Sequence, residues 1–229
     1  ADRKTKLASA PSNAVASRGA LRTRGLVIRL RAAPKLREAE EPDLSKLPAL
    51  PDTGEEVRGM AIAMDADISN AVQLGIKANE DTIRKTDLSN YKVIAFATHG
   101  LIPGDLSGLR EPALALTAPT LSKSGGYGLL TMSEIMGLKL DADWVVLSVC
   151  NTGTGRGAGA EAVSGLGRAF FYAGTRSLLV SSWPVETVSA RLLTTDIFTR
   201  LTAKDKLSRA EGLQQVLSSL IDIQCASGQ

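Results

Sequence analysis

Two apolar stretches, YKVIAFATHG (residues 91–100) and WVVLSVCNTG (residues 144–153), decide how this chain folds. Each contains an almost continuous apolar run, which is typical of strands that are covered on both faces of a parallel sheet. The first run leads into His99, and the second leads into Cys150. Because the carboxyl ends of parallel strands meet at one edge of a sheet, we expect His99 and Cys150 to lie close together there.

The rest of the chain alternates between strand patterns and helix patterns. Further strands are predicted at residues 26–30, 71–74, 113–117 and 177–182. Helices are predicted from an N-cap at Asp52 or Thr53 through residue 64, and over residues 78–88, 160–173, 187–202 and 208–223. Thr131 and Glu134 have the spacing of a capping box that begins another short helix. This alternation predicts an α/β fold in which a mainly parallel β-sheet carries helices on both faces.

Composition is that of an ordinary globular protein. The 229 residues are 44% hydrophobic and 22% charged, which is enough to build one domain with a sizeable core. The sequence contains no apolar run of membrane-spanning length and no signal-peptide pattern, so we expect a cytoplasmic protein without a membrane partner. Its two cysteines, Cys150 and Cys225, are too few for a disulfide framework.

Positive charge is concentrated in residues 1–46, which we call the leading segment. Residues 1–50 hold 11 Lys or Arg against 5 Asp or Glu, whereas residues 51–229 hold 16 against 19. The basic residues are not interleaved with aromatic ones, so a solvated face is favoured over direct binding of nucleic acid. We expect the leading segment to contain the first strand of the domain, at residues 26–30. The chain begins at Ala1 and ends in a polar tail, residues 224–229, so we expect a domain excised from a longer protein.

His99 and Cys150 together have the chemistry of a nucleophile and its base. A free thiol is only a few per cent thiolate at neutral pH, and a neighbouring imidazole can take its proton as the sulfur attacks a carbonyl carbon. The backbone N–H groups of Gly100 and Cys150 are candidates for an oxyanion hole. Taken singly, a cysteine that ends a strand can be a small buried apolar residue, and a lone histidine can be structural. Their joint placement at two strand ends favours the catalytic interpretation.

Four stretches resemble the CHAT family, whose members are caspase-like domains often fused to tetratricopeptide repeats. These stretches are YKVIAFATHG, EPALAL, GLLTMSEIMGLKLDADWVVLSVCNTG and GLGRAFFYAGTRSLLVSSWPV. The resemblance begins near Leu47, at LPALPDTGEEV, and extends to about Ile221. It implies a caspase-like peptidase domain over residues 47–223, with a catalytic dyad of His99 and Cys150. Cys150 follows His99 by 51 positions, which also matches the spacing known in caspases.

The resemblance also implies what the dyad acts on. It implies a cysteine endopeptidase whose protein or peptide substrate crosses the sheet edge near Ser181, Ser182 and Trp183. A regulatory protein partner or attached tetratricopeptide repeats are expected to control it, and no cofactor or metal is expected. The sequence departs from the family pattern at Val149, where Ala is common, and at Ala160, where Gly is common; neither change removes a reacting group.

Two other functions remain open at this point. A catalytically silent caspase-like scaffold for protein binding would need neither dyad residue. A nucleotide-binding domain would hold phosphate with the Gly-rich loop that precedes the helix at residue 160. The glycines of this loop are Gly153, Gly155, Gly157 and Gly159. Their spacing fits the dinucleotide-binding fingerprint only loosely. Asp141 and Asp143 are expected to cap a turn rather than bind metal.

Substrate preference at the cleavage site is also open in the sequence. Acidic and basic side chains are both present near the expected sheet edge. Acidic side chains would favour a basic substrate residue at the cleavage site, and basic side chains would favour an acidic one. The acidic ones are Asp105, Glu111 and Glu186, and the basic ones are Arg110 and Arg156.

Overall fold

A five-stranded sheet forms the centre of the domain. The computed structural model describes residues 22–23, 26–27, 44, 47–106, 108–151, 158–180, 187–203 and 207–226. Its strands are β1 (Arg22–Thr23), β2 (Leu26–Val27), β3 (Val93–Leu101), β4 (Ala113–Ala115), β5 (Leu129–Thr131), β6 (Trp144–Asn151) and β7 (Leu178–Val180). The sheet has the order β5-β4-β3-β6-β7, and β1 and β2 form a separate two-residue antiparallel ladder.

Four of the five strands in the sheet run in the same direction. Strands β3, β6 and β7 are parallel neighbours. Strand β4 is antiparallel to both β3 and β5, so β5 points the same way as β3. The prediction of a mainly parallel sheet is therefore confirmed.

Helices cover both faces of this sheet, as predicted. The described helices are α1 (Pro51–Ala63), α2 (Ile68–Ala71), α3 (Glu80–Lys85), α4 (Pro119–Ser122), α5 (Met132–Met136), α6 (Ala158–Tyr172), α7 (Thr187–Thr202) and α8 (Arg209–Ala226). On one face, Ile135 of α5 and Phe170 of α6 pack against Val145 and Leu147. On the other face, α1, α7 and α8 cover the sheet through Met60, Ile197, Phe198 and Val216.

Aromatic side chains occupy the centre of each layer. Phe170 is fully buried, and its ring centroid lies 5.6 Å from that of Phe96 in β3. On the opposite face, Trp144 meets Phe198 edge-on, with the ring centroids 5.8 Å apart. Burial of each such side chain contributes roughly 1.5–3 kcal/mol, so these residues fix the two helical layers to the sheet.

Several elements that the sequence patterns predict are present in the structure. The run WVVLSV lies in β6, the predicted helix at residues 187–202 is α7, and residues 113–115 form β4. The capping box is also confirmed, because Thr131 accepts from the Glu134 N–H and the Glu134 carboxylate accepts from the Thr131 N–H.

Local structure between residues 50 and 90 differs from the prediction. Helix α1 begins at Pro51, one residue before the first predicted cap, and Leu50 precedes it without a side-chain cap. The predicted strand at residues 71–74 is wrong, because Asp67 caps the short helix α2 there. The predicted helix over residues 78–88 is shorter, since the Asn79 side chain accepts from the Thr82 N–H and thereby begins α3 at Glu80.

An ion-pair network closes the amino-terminal edge of the sheet. Asp141 pairs with Lys92, whose Nζ lies 2.8 Å away, and with Arg176. Asp143 pairs with Arg176 and Arg209. The two aspartates therefore connect the starts of neighbouring strands to α8, a role beyond the expected turn cap.

We expect Asp141→Asn to lower stability at neutral pH and to make stability less sensitive to acid. The hydrogen bond from Lys92, followed by that from Arg176, holds the pKa of the Asp141 carboxyl below its usual value of 3.8. The resulting stabilisation is present above the unfolded-state pKa and is lost as pH falls through the lower folded-state pKa. Thermal unfolding should therefore show a gap between wild type and Asp141→Asn at about pH 7 that becomes smaller in acid, at a pH below 3.8.

Asp222→Asn is the matched control, because Asp222 is exposed on α8 and makes no ion pair with a described residue. Its melting temperature should follow that of wild type at every pH. A gap for Asp141→Asn that is the same at both pH values would contradict the assigned role of the carboxylate.

Candidate active site

His99 and Cys150 are aligned on neighbouring strands. Strands β3 and β6 pair in parallel from Val93 opposite Trp144 to Gly100 opposite Asn151, and His99 is the register partner of Cys150. Adjacent parallel strands lie about 4.8 Å apart, and aligned positions belong to the same face of the sheet. The backbone therefore places these two residues side by side near the carboxyl end of the ladder.

Strand β3 is longer than its apolar run predicts. The apolar run KVIAFA covers only residues 92–97, but β3 continues through His99 and Gly100 to Leu101. The continuation is stabilised by β4, which pairs with β3 at Gly100 and Leu101. His99 is consequently fixed by the sheet itself rather than carried on a loop.

The imidazole of His99 is buried and oriented by one hydrogen bond. The side chain is 5% exposed, and its Nε2 lies 2.9 Å from the carbonyl oxygen of Pro48. A carbonyl oxygen can only accept, so Nε2 carries the proton in this contact. In the neutral ring, Nδ1 is then the nitrogen with a free lone pair.

Nδ1 of His99 is the unusual atom of this site. It is buried and has no hydrogen-bond partner within the part of the chain that the structure describes. Buried polar atoms are nearly always paired, and an unpaired one in a protein needs a physical reason. The register partner of His99 on the neighbouring strand, Cys150, carries a thiol.

Pro48 is held in place by the packing of its own segment. The Leu47 N–H donates to the Leu44 carbonyl, and both leucines pack against a small apolar cluster of Leu101, Leu106 and Ala115. Sequence reasoning missed the part that Pro48 plays, because a backbone carbonyl is the same in every residue. The only available signal was its position in LPALP, directly before α1.

The predicted oxyanion donors lie in the same ladder. Gly100 is buried in β3, opposite Asn151, and Cys150 lies one position before the end of that ladder. An oxyanion hole formed by their N–H groups stays a prediction. The predicted substrate-binding residues Ser181, Ser182 and Trp183 lie outside the described residues, as does the loop 152–157 with its glycines.

Two candidate specificity residues already have structural partners. The Asp105 carboxylate accepts from the Ile102 N–H at 2.8 Å. Glu111 accepts from the Ser133 N–H and hydroxyl. Both carboxylates therefore support local loops, while Arg156 and Glu186 lie outside the described residues.

A family model described as the CHAT domain matches residues 3–227. The chain belongs to the CHAT domain family. The match takes in the leading segment as well as residues 47–221, and the α/β sheet with helices on both faces is consistent with the caspase-like fold of CHAT domains. No curated protein and no solved structure gives a significant match.

The described part of this CHAT domain contains neither a metal-binding cluster nor a membrane-spanning helix. Across the described ranges, no group of three or more His, Cys, Asp or Glu side chains is placed to hold a metal ion. Among the same residues, no helix has the length and apolar character needed to cross a bilayer.

Proposed function

We propose that this CHAT domain is a cysteine endopeptidase in which Cys150 is the nucleophile and His99 is the general base. The observation that carries the proposal is the pairing of the two positions across β3 and β6. In addition, Nε2 of His99 donates to the Pro48 carbonyl, and the buried Nδ1 has no hydrogen-bond partner among the described residues. A dyad of this kind needs a thiol, a base and a group that orients the base. In this chain they are proposed to be Cys150, His99 and the Pro48 carbonyl.

In the first half of the reaction, Nδ1 takes the thiol proton as the sulfur of Cys150 attacks the carbonyl carbon of the scissile peptide. The carbon–nitrogen bond then breaks, and the protonated Nδ1 returns its proton to the leaving amine. The product is a thioester between Cys150 and the amino-terminal part of the substrate. Throughout this step, the Pro48 carbonyl keeps the ring oriented and stabilises the positive charge that the imidazolium gains.

In the second half, Nδ1 removes a proton from water as the water oxygen attacks the thioester carbon. The carbon–sulfur bond breaks, the sulfur regains the proton, and the carboxylic acid product leaves. Each tetrahedral intermediate carries a negative oxygen, which the N–H groups of Gly100 and Cys150 are proposed to stabilise.

The substrate is proposed to be an extended protein segment that crosses the carboxyl edge of the sheet. Ser181, Ser182 and Trp183 come directly after β7 in the sequence, and they are proposed to contact the residues around the scissile bond. Control by a regulatory protein partner, or by repeats attached in the parent protein, belongs to the same proposal.

Alkylation tests the dyad without a known substrate. We expect iodoacetamide at about pH 6 to label Cys150 at least about tenfold faster than Cys225, because a nearby base raises the thiolate fraction of Cys150. Peptide mass mapping over a time course gives both rates in the same sample, with Cys225 as the internal reference.

His99→Gln is the diagnostic variant for this experiment. The Gln amide can still donate to the Pro48 carbonyl, but it has no basic nitrogen. The labelling rate of Cys150 should fall toward that of Cys225 in this variant, while the rate of Cys225 stays unchanged. A folded His99→Gln protein that labels Cys150 as fast as wild type would contradict the proposed activation.

A further inference from the structure

The face of the sheet that carries the proposed dyad continues beyond β3. Register pairs join Leu101 of β3 to Ala113 of β4, and Ala113 to Thr131 of β5. Residues that are aligned across neighbouring strands share a face of the sheet, and so do alternate residues of one strand. Leu101 is two residues beyond His99, so Thr131 lies on the same face as His99 and Cys150. This face therefore extends from Cys150 through His99 to β5, the outermost strand.

A pocket of about 540 Å³ lies beside β5, and we call it the β5 pocket. Its apolar lining includes Leu106 and Leu129, which belong to the same apolar cluster as Leu101. The ring of Tyr127, which is 85% exposed, also lines it. Three carboxylates and one guanidinium complete the lining, and they belong to Glu80, Glu111, Glu134 and Arg110. The β5 pocket is thus apolar, aromatic and acidic.

Glu80 is the most unusual of these carboxylates, because its side chain is only 4% exposed. Its Oε1 accepts from the backbone N–H groups of Tyr127 and Leu129. Its Oε2 is buried and has no hydrogen-bond partner among the described residues. The Nη2 atom of Arg84 lies 3.8 Å from Oε2, which is too far for a hydrogen bond. A buried carboxylate oxygen with unused accepting capacity in the lining of a pocket favours a ligand that donates a hydrogen bond.

The other two carboxylates differ in their remaining capacity to accept. Both oxygens of Glu134 have partners, which are the Arg84 guanidinium and the Thr131 N–H. Glu111 uses only Oε2, which accepts from the N–H and the hydroxyl of Ser133. No described residue donates to Oε1 of Glu111. Glu80 and Glu111 therefore each keep one oxygen for a donor from outside the pocket.

The chemistry of the β5 pocket fits a basic side chain. Three carboxylates against one guanidinium leave the lining with a formal charge of −2. The guanidinium belongs to Arg110, which is exposed and makes no ion pair with a described residue. A Lys or Arg side chain would pack its aliphatic stem on the leucines and donate to Glu80 and Glu111. The ring of Tyr127 would attract the same cation.

The order of the strands decides which part of a substrate reaches this pocket. In the proposed reaction His99 returns a proton to the leaving amine, so the carboxyl-terminal part of the substrate must pass on the His99 side of Cys150. Strand β3 carries His99 and lies between β6 and the pair formed by β4 and β5. Strand β5 is two strand spacings from β3, about 10 Å, which an extended chain covers in about three residues.

We propose that the β5 pocket binds a Lys or Arg side chain of the protein substrate, about three to five residues to the carboxyl side of the scissile bond. The position of this residue relative to the scissile bond rests on the proposed peptidase function. Binding of a basic side chain rests on the pocket alone, so the two parts can be tested separately.

An NMR titration of the full chain carrying Cys150→Ala tests binding without cleavage. The probe is acetyl-Ala-Ala-Arg-Ala-Ala-amide, and the same peptide with Glu in place of Arg is its control. We expect the Arg peptide to shift the amide signals of Tyr127 and Leu129, because both N–H groups donate to Glu80. The Glu peptide should leave them unchanged, because the lining is acidic.

Two variants should change this affinity in opposite directions. Glu111→Gln keeps an acceptor for Ser133 but loses the charge, so it should weaken binding of the Arg peptide about two- to fivefold. Arg110→Gln removes the one cation of the lining and should strengthen binding by a similar factor. Asp222→Asn, an exposed acid on α8, should change nothing. A general loosening of the fold would weaken binding in both pocket variants.

Cleavage of a peptide library by wild type tests the position of the basic residue. Lys and Arg should be enriched about three to five residues after the cleaved bond, and Glu111→Gln should lower this enrichment about two- to fivefold. Asp222→Asn should keep it. The preference for the residue directly before the bond should be the same in all three proteins.

The other outcomes would overturn the proposal in separate ways. If the Arg peptide leaves Tyr127 and Leu129 unshifted, or if the Glu peptide shifts them equally, the β5 pocket is not a site for basic side chains. Enrichment of Lys and Arg on the amino side of the bond would reverse the assigned direction. Binding of the Arg peptide without cleavage of any library member would retain the site and remove its place in a peptidase substrate.

Discussion

Cys150→Ala is expected to reduce cleavage of a protein or peptide substrate by at least about 10³-fold, to the level of the assay background. Without the sulfur no thioester can form, and no second nucleophile is proposed. Cleavage of a peptide library by the whole protein gives a substrate, and its rate then measures the loss. Cys225→Ala, which changes the other thiol, should retain the wild-type rate.

The histidine should behave as one unit with the cysteine. His99→Gln keeps a donor for the Pro48 carbonyl but has no base, so it should lose at least about 10²-fold in kcat while its stability remains close to that of wild type. The double variant with Cys150→Ala should be no slower than Cys150→Ala alone, because the losses of a dyad do not add. A folded Cys150→Ala protein that still cleaves the substrate would rule out the mechanism. If wild type and all variants fail to cleave, the result would favour the catalytically silent scaffold.

Gly174→Ala is expected to lower the free energy of unfolding by about 2–5 kcal/mol. Gly174 follows α6 with φ at +112°, a region that residues with a side chain rarely adopt. An added Cβ would also collide with the carbonyl oxygen of Leu140. That carbonyl cannot move away easily, because the Leu140 N–H is bonded to the Ala173 carbonyl at 2.8 Å.

Gly104→Ala separates the two causes of this loss. Gly104 has a similar φ of +98°, but no atom lies within 4 Å of the position that its Cβ would take. It should therefore cost only the conformational strain, about 1–2 kcal/mol. Urea unfolding of both variants measures the difference, and equal losses would show that the contact with Leu140 is relieved by local movement.

Sequence patterns predicted those elements in which local and tertiary preferences agree. The run around Val145 and Val146 is apolar on both faces, and in the fold helices cover both faces. The Thr131 and Glu134 capping box needs only residues that are near in sequence. Residues 71–74 are apolar enough to resemble a strand, but Asp67 and the turn after α2 decide their structure. Strand β5 has three residues and forms because β4 is beside it, which no pattern of three residues can indicate.

The sequence by itself determined the fold class and the positions of the two strands that contain His99 and Cys150, the residues on which the proposed activity depends. These follow from side-chain identity and spacing, which are written in the sequence. Only the tertiary structure decided that Nε2 of His99 contacts Pro48, 51 residues away, and that Nδ1 is buried without a hydrogen-bond partner among the described residues. It also decided that β3 continues past His99 and pairs there with β4 at Gly100 and Leu101. These features depend on backbone groups, which are the same in nearly every residue and acquire a specific partner only when the chain is folded.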